Sequence, residues 1–157
     1  MSYDFSAKDI FEMAKQIERN GVKFYQTAAV SVSDVSGKEL LLSLAKMEEQ
    51  HEQTFADLQM ELSDTESVGT AFDPEDENAL YLKALADTRI FFEKDIDTTS
   101  MKEILKAAIT AEKDSIVFYL GMKNLVPEKL GATRLDLIIK EEMGHIRLLS
   151  KELMALS

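Results

Sequence analysis

Two six-residue segments decide how this chain is read: Lys46-Met47-Glu48-Glu49-Gln50-His51 and Lys140-Glu141-Glu142-Met143-Gly144-His145. Together they hold both histidines of the 157-residue sequence, and each histidine follows a glutamate by three positions. The second segment lies 94 positions after the first (145 − 51). The same shift, with no gap, superposes Glu18 on Glu112, Phe24 on Phe118, Tyr25 on Tyr119 and Gly37 on Gly131, with Lys8/Lys102, Ile10/Ile104 and Lys46/Lys140 agreeing as well. The chain therefore reads as two copies of one helical hairpin related by a pseudo-twofold axis.

Ile10, Met13, Ile17, Phe24 and Ala28 recur at helical spacing behind a cap formed by Ser6 and Asp9, which predicts a first helix to about Val30. After Ser31 to Gly37 a second helix carries Leu40, Leu41, Leu44, Met47, Phe55, Leu58 and Leu62 inward and ends near Ser63. Asp64 to about Glu77 is acidic and turn-rich, Ala79 to Phe92 reads as a shorter helix, and Lys94 to Thr99 as a loop. Ser100 with Glu103 forms a capping box for a third helix to about Asn124, and Pro127 suits the first turn of a fourth that reaches the C-terminus. Hairpin 1 over about 6–63, a crossover over about 64–99 and hairpin 2 over about 100–157 make one domain. A long crossover between two hairpins is the ferritin-like connectivity of an all-α four-helix bundle.

No cysteine is present, which excludes disulfides, thiolate metal sites and iron–sulfur clusters. Any metal must sit on oxygen and nitrogen. A net charge of −11 repels phosphate backbones and anionic lipid, so neither nucleic acid nor membrane is an expected partner. The N-terminal residues carry neither a basic leader nor an apolar signal core, and the longest apolar stretches, such as Ile116 to Met122, are far too short to span a bilayer; a cytoplasmic location is expected.

Residues three apart on a helix share a face, so Glu48 and His51 can reach one ion, and Glu142 and His145 another. One glutamate from each of two helices plus a Glu-x-x-His from each of the other two is the ligand set of ferritin-like di-iron and di-manganese proteins, which Glu18, Glu112, Glu48, His51, Glu142 and His145 match. Four carboxylates facing one another in a core repel unless they are protonated or paired, and two divalent cations supply +4 against −4. Iron is favoured over redox-silent zinc, although manganese and zinc suit the same donors. The bland reading is a solvated Glu/His pair in an acidic helical protein. Glutamate is 17 of the 157 residues, so finding it both 3 and 33 positions before each histidine by chance has a probability of roughly 10⁻⁴.

The repeat also sorts neighbouring carboxylates. Glu141 precedes His145 by four residues but has Met47 at the offset, while Glu49 pairs with Met143 and Glu52 with Ile146, so all three are read as flanking residues. Tyr25 and Tyr119, each seven residues after a candidate glutamate, are equally readable as core packing or as hydrogen-bond donors to the carboxylates. The eight methionines read as gap-filling core residues.

With Ala45-x-x-Glu48-x-x-His51-x-x-x-Phe55 in the second helix and Ala111-Glu112 through Phe118-Tyr119 in the third, the chain resembles the rubrerythrin-like branch of the ferritin-like superfamily over all four bundle helices. The resemblance implies that Glu18 and Glu112 are terminal ligands, that Glu48 and Glu142 bridge, and that His51 and His145 each complete one iron. It implies a non-haem di-iron oxidoreductase that reduces hydrogen peroxide or dioxygen. Electrons would come from a separate donor protein, since the absence of cysteine removes a rubredoxin domain. Ser115 stands where peroxidase rubrerythrins carry a further glutamate, one turn after the third-helix ligand, and the symmetric six-residue set is similar to bacterioferritin-type ferroxidase centres. Iron oxidation and storage is thus a second reading, and a helical scaffold with a vestigial site a third. A homodimer is expected, and the pseudo-symmetry would allow its hairpins to be swapped between protomers.

Overall fold

The computed structural model describes residues 7–61, 77, 80–82, 84, 100–125 and 132–156. Four helices form the bundle: α1 (Ala7–Ser31), α2 (Val35–Met60), α3 (Met101–Leu125) and α4 (Ala132–Ala155). α1 packs chiefly on α2 and α3 on α4, so the two hairpins are the two halves of the molecule. Among the described residues every regular element is helical.

The turn between α1 and α2 is tighter than the sequence predicts. Asp34 caps α2 from an extended backbone (φ −71°, ψ 125°), its carboxylate accepting the Gly37 amide at 2.8 Å. The helix therefore starts at Val35 and takes Gly37 into its first turn. A Cβ at Gly37 would lie 3.2 Å from both Asp34 Oδ2 and Val32 Cγ1, closer than side chains normally approach, so the cap favours a residue without one. α2 ends at Met60, a turn short of the expected Ser63, which lies outside the described residues.

At the start of α3 the Glu103 amide donates to Ser100 Oγ at 3.3 Å, half of the expected capping box. Pro127 also lies outside the described residues, and α4 is described from Ala132. The described crossover positions, Glu77, Leu80–Leu82 and Ala84, are helical, and Leu82 is buried. The rest of the expected crossover helix lies outside the described residues.

Two apolar clusters fill the bundle, one toward each end. The first unites Ile10, Phe11 and Ala14 of α1, Phe55 of α2, Phe118, Tyr119 and Met122 of α3, and Leu135 and Ile138 of α4. The second unites Tyr25 and Ala28 of α1, Leu41 and Leu44 of α2, Ile104, Leu105 and Ala108 of α3, and Leu149 of α4. Adding or subtracting 94 converts each of these lists into the other at every position but Phe118, whose counterpart Phe24 packs partly buried against the second cluster. The pseudo-twofold thus exchanges the two apolar plugs, and the residues that lie on its axis are held between them. No helix among the described residues is long and apolar enough to cross a membrane.

Candidate metal centre

Between the plugs lie the buried polar residues Glu18, Glu48, His51, Glu112, Ser115, Glu142 and His145. Glu18 and Glu112 are single inward positions on α1 and α3. Glu48/His51 and Glu142/His145 are one-turn pairs on α2 and α4. Burying so many ionisable groups in one place is costly unless they compensate one another.

Their donor atoms fall into two overlapping groups, Glu18, Glu48, His51, Glu142 and Glu48, Glu112, Glu142, His145. Within each group the candidate ligand atoms lie within 4.8 Å of one another. Glu48 and Glu142 belong to both. All six residues singled out by the repeat are therefore brought together, with one imidazole and one unshared carboxylate on each side of a shared pair.

The imidazoles aim Nδ1 into this carboxylate ring. His51 Nδ1 is 2.9 Å from Glu142 Oε1, 3.3 Å from Glu48 Oε2 and 3.6 Å from Glu18 Oε2. His145 Nδ1 is 3.4 Å from oxygens of Glu48, Glu112 and Glu142. The two rings are nearly parallel, with centroids 5.9 Å apart.

Proton affinities split by position. Burial, reinforced by the surrounding carboxylates, pushes the shared Glu48 and Glu142 well above the usual carboxylate range. Burial acts on Glu18 and Glu112 in the same sense, but the neighbouring shared glutamates and the imidazoles outweigh it and hold both below that range, Glu112 at about 2. Burial lowers the imidazoles, and the carboxylates overcome it, raising His51 to about 11 and His145 to about 9. Without a metal, the shared pair holds protons more tightly than ordinary carboxylates and the terminal pair less tightly, while both imidazoles favour their charged form. The four-carboxylate repulsion anticipated from sequence is thereby relieved.

The tyrosines satisfy both readings. Each ring belongs to an apolar cluster, and each hydroxyl reaches across the bundle to the glutamate of the opposite hairpin. Tyr25 Oη donates to Glu112 Oε1 at 2.7 Å and Tyr119 Oη to Glu18 Oε1 at 2.5 Å. Ser115, buried one turn after Glu112, turns its hydroxyl back to the Ala111 carbonyl at 3.0 Å.

One reading is corrected by the geometry. Glu141 is more than a flanking residue, because its Oε2 lies 2.6 Å from His51 Nε2, the nitrogen facing away from the carboxylate ring. Sequence offered one signal: Glu141 stands one turn before His145 on α4, where it can meet the histidine of α2 across the bundle. The repeat discarded it because its counterpart is Met47. Glu52, by contrast, is tied to Arg19 at 2.7 Å away from the cluster.

The donor set fits hard or borderline divalent cations. Glu48 Oε1, Glu112 Oε2, Glu142 Oε2 and both ring nitrogens of His145 are buried without a hydrogen-bond partner among the described residues, a condition few native polar groups tolerate unless something else is bound.

Comparison with known proteins agrees with this geometry. The family model described as rubrerythrin matches residues 9–153. Among solved structures, a chain from Thermotoga maritima described as a ferritin-like diiron-carboxylate protein is 25% identical, covers 100% of both chains and superposes with a TM-score of 0.70. No curated protein matches the sequence.

Proposed function

Because the chain belongs to the rubrerythrin family, we propose that it is a non-haem di-iron oxidoreductase that reduces hydrogen peroxide or dioxygen with electrons from a separate donor protein. The observation that carries this reading is the pair of buried four-residue groups that share Glu48 and Glu142. Glu18 and Glu112 would be terminal ligands, Glu48 and Glu142 bridging ligands, and His51 and His145 would bind one ion each through Nδ1. When bound, two iron ions supply the two electrons that convert peroxide to water.

The chain's own residues orient the ligands and exclude water. Tyr25 and Tyr119 each donate a hydrogen bond to one oxygen of a terminal glutamate, which fixes the carboxylate and leaves its other oxygen for metal. The two apolar plugs close the bundle above and below, so charge inside is weakly screened. With no cysteine in the chain, the external donor supplies the electrons that reset the site. A cytoplasmic homodimer is part of this proposal.

Ser115 favours a second reading, ferrous iron oxidation with storage. Its short side chain is bonded to its own helix, so α3 contributes no further carboxylate there. Three measurements test the readings. Elemental analysis of aerobically purified protein should give about two irons per chain, falling by at least one in Glu48→Ala or Glu142→Ala and unchanged in Glu49→Ala. Light scattering should report a dimer; a shell of many subunits would favour storage, and protein without stoichiometric metal would favour a vestigial site. Stopped-flow mixing of the diferrous protein with peroxide and with dioxygen should give rates closer together than in Ser115→Glu. A strong peroxide preference that Ser115→Glu leaves unchanged would remove Ser115 from the choice of oxidant.

A further inference from the structure

The pseudo-twofold is broken at the outer nitrogens of the two imidazoles. His51 Nε2 is paired with Glu141 at 2.6 Å, and that carboxylate is 39% exposed at the bundle surface. His145 Nε2 is buried and has no hydrogen-bond partner among the described residues. The repeat gives the reason, since 141 − 94 is 47, and position 47 is methionine. A thioether is at best a weak acceptor, so the carboxylate that one histidine receives is withheld from the other.

A carboxylate on the far nitrogen of a metal-binding imidazole does three things. It holds the proton on that nitrogen and so fixes the tautomer, it locks the ring plane, and it makes the inward nitrogen a stronger donor. Glu141 also adds a negative charge close to one side of the centre only. From this asymmetry we infer that the two metal positions are inequivalent. The position bounded by Glu18, Glu48, His51 and Glu142 fills first and more tightly, with Glu141 as its positioning residue, and the position bounded by Glu48, Glu112, Glu142 and His145 fills second. The inference rests on the dimetal reading above and adds the order of loading and the residue that sets it. At limiting metal the protein is half-loaded on the His51 side.

Calorimetric titration of the full chain with Co(II), a redox-stable probe, measures both steps, and the visible absorption of bound Co(II) follows the ligand environment. Repulsion between two cations separates the steps at any paired centre, so the decisive readings are in the variants. Glu141→Met should weaken the first step by roughly 10–100-fold and alter the spectrum of the first equivalent, because loss of such outer partners typically costs that much affinity. Met47→Glu, which offers His145 a carboxylate, should tighten the second step and leave the first in place. Glu141→Gln, which keeps an acceptor but removes the charge, should fall between. Far-UV circular dichroism checks that each variant is folded. Two Co(II) per chain with steps that neither Glu141→Met nor Met47→Glu moves would overturn the inference alone, whereas no Co(II) uptake by the unmodified protein would overturn the dimetal reading and the inference with it.

Discussion

Single side chains at this centre act through their protons. Glu48, Glu142, His51 and His145 all bind protons more tightly in the fold than in an unfolded chain, and all four must release them to bind metal. Uptake of two divalent ions at neutral pH should therefore release up to four protons. Calorimetry in buffers of different ionisation enthalpy measures the number, and a value near zero would show that the ligands are already deprotonated. Replacing Glu48 or Glu142 by Gln substitutes a permanently neutral group for an acid whose charged form the fold disfavours. The metal-free variants should melt higher than the parent at pH 7 while losing at least one metal; a lower melting temperature would contradict the buried carboxylate cluster. Tyr119→Phe removes a hydroxyl donated to an ionised, buried carboxylate, which should cost about 1.5–3 kcal/mol in denaturant unfolding of the metal-free protein. A cost below about 0.5 kcal/mol would mean that water replaces the lost donor.

At the scale of elements, the short α1–α2 connection joins the helix that carries Glu18 to the helix that carries Glu48 and His51. Its anchor is the Asp34 carboxylate on the Gly37 amide, an exposed cap on a helix with no acidic residue in its first turn. Asp34→Ala should cost about 1 kcal/mol, a fall of roughly 2–4 °C in melting temperature for a chain of this size. Asp34→Asn, which keeps the acceptor, should recover most of it. Equal losses in both variants would show that charge at the helix N-terminus, rather than the hydrogen bond, is what the residue contributes. Such local devices explain why the helix starts were less legible than the helices. Apolar periodicity reported the inward face of α2 correctly at Leu41, Leu44, Phe55 and Leu58. A cap, however, is one hydrogen bond, and the Ser31 to Gly37 stretch holds several side chains able to accept it.

For the whole molecule, the six buried groups impose opposite pH responses with and without metal. Glu48, Glu142, His51 and His145 have raised folded values, so the stability they contribute is present at low pH. That of the glutamates is lost from about pH 4.5 upward. That of the histidines is lost from about 6.5, through about 9 for His145 and about 11 for His51. Glu18 and Glu112 have lowered values, and their contribution is present above about 4.5 and lost as pH falls, to about 2 for Glu112. Between pH 5 and 9 the metal-free protein should melt at progressively lower temperature, and the stabilisation by added divalent metal should grow over the same range. A metal-free melting temperature that rises with pH would show that the cluster does not hold its protons. The sequence by itself determined the bundle, its halves and the six central residues, because helical periodicity and a repeat at fixed offset are properties of residue type and spacing alone. Only the tertiary structure decided that Tyr25 and Tyr119 donate crosswise to Glu112 and Glu18, that the shared glutamates bind protons more tightly than ordinary carboxylates, and that Glu141 serves His51 while the outer nitrogen of His145 has no partner among the described residues. Those facts depend on burial and on contacts between residues 87 to 101 positions apart, and in the case of Glu141 on a departure from the symmetry by which the sequence is read.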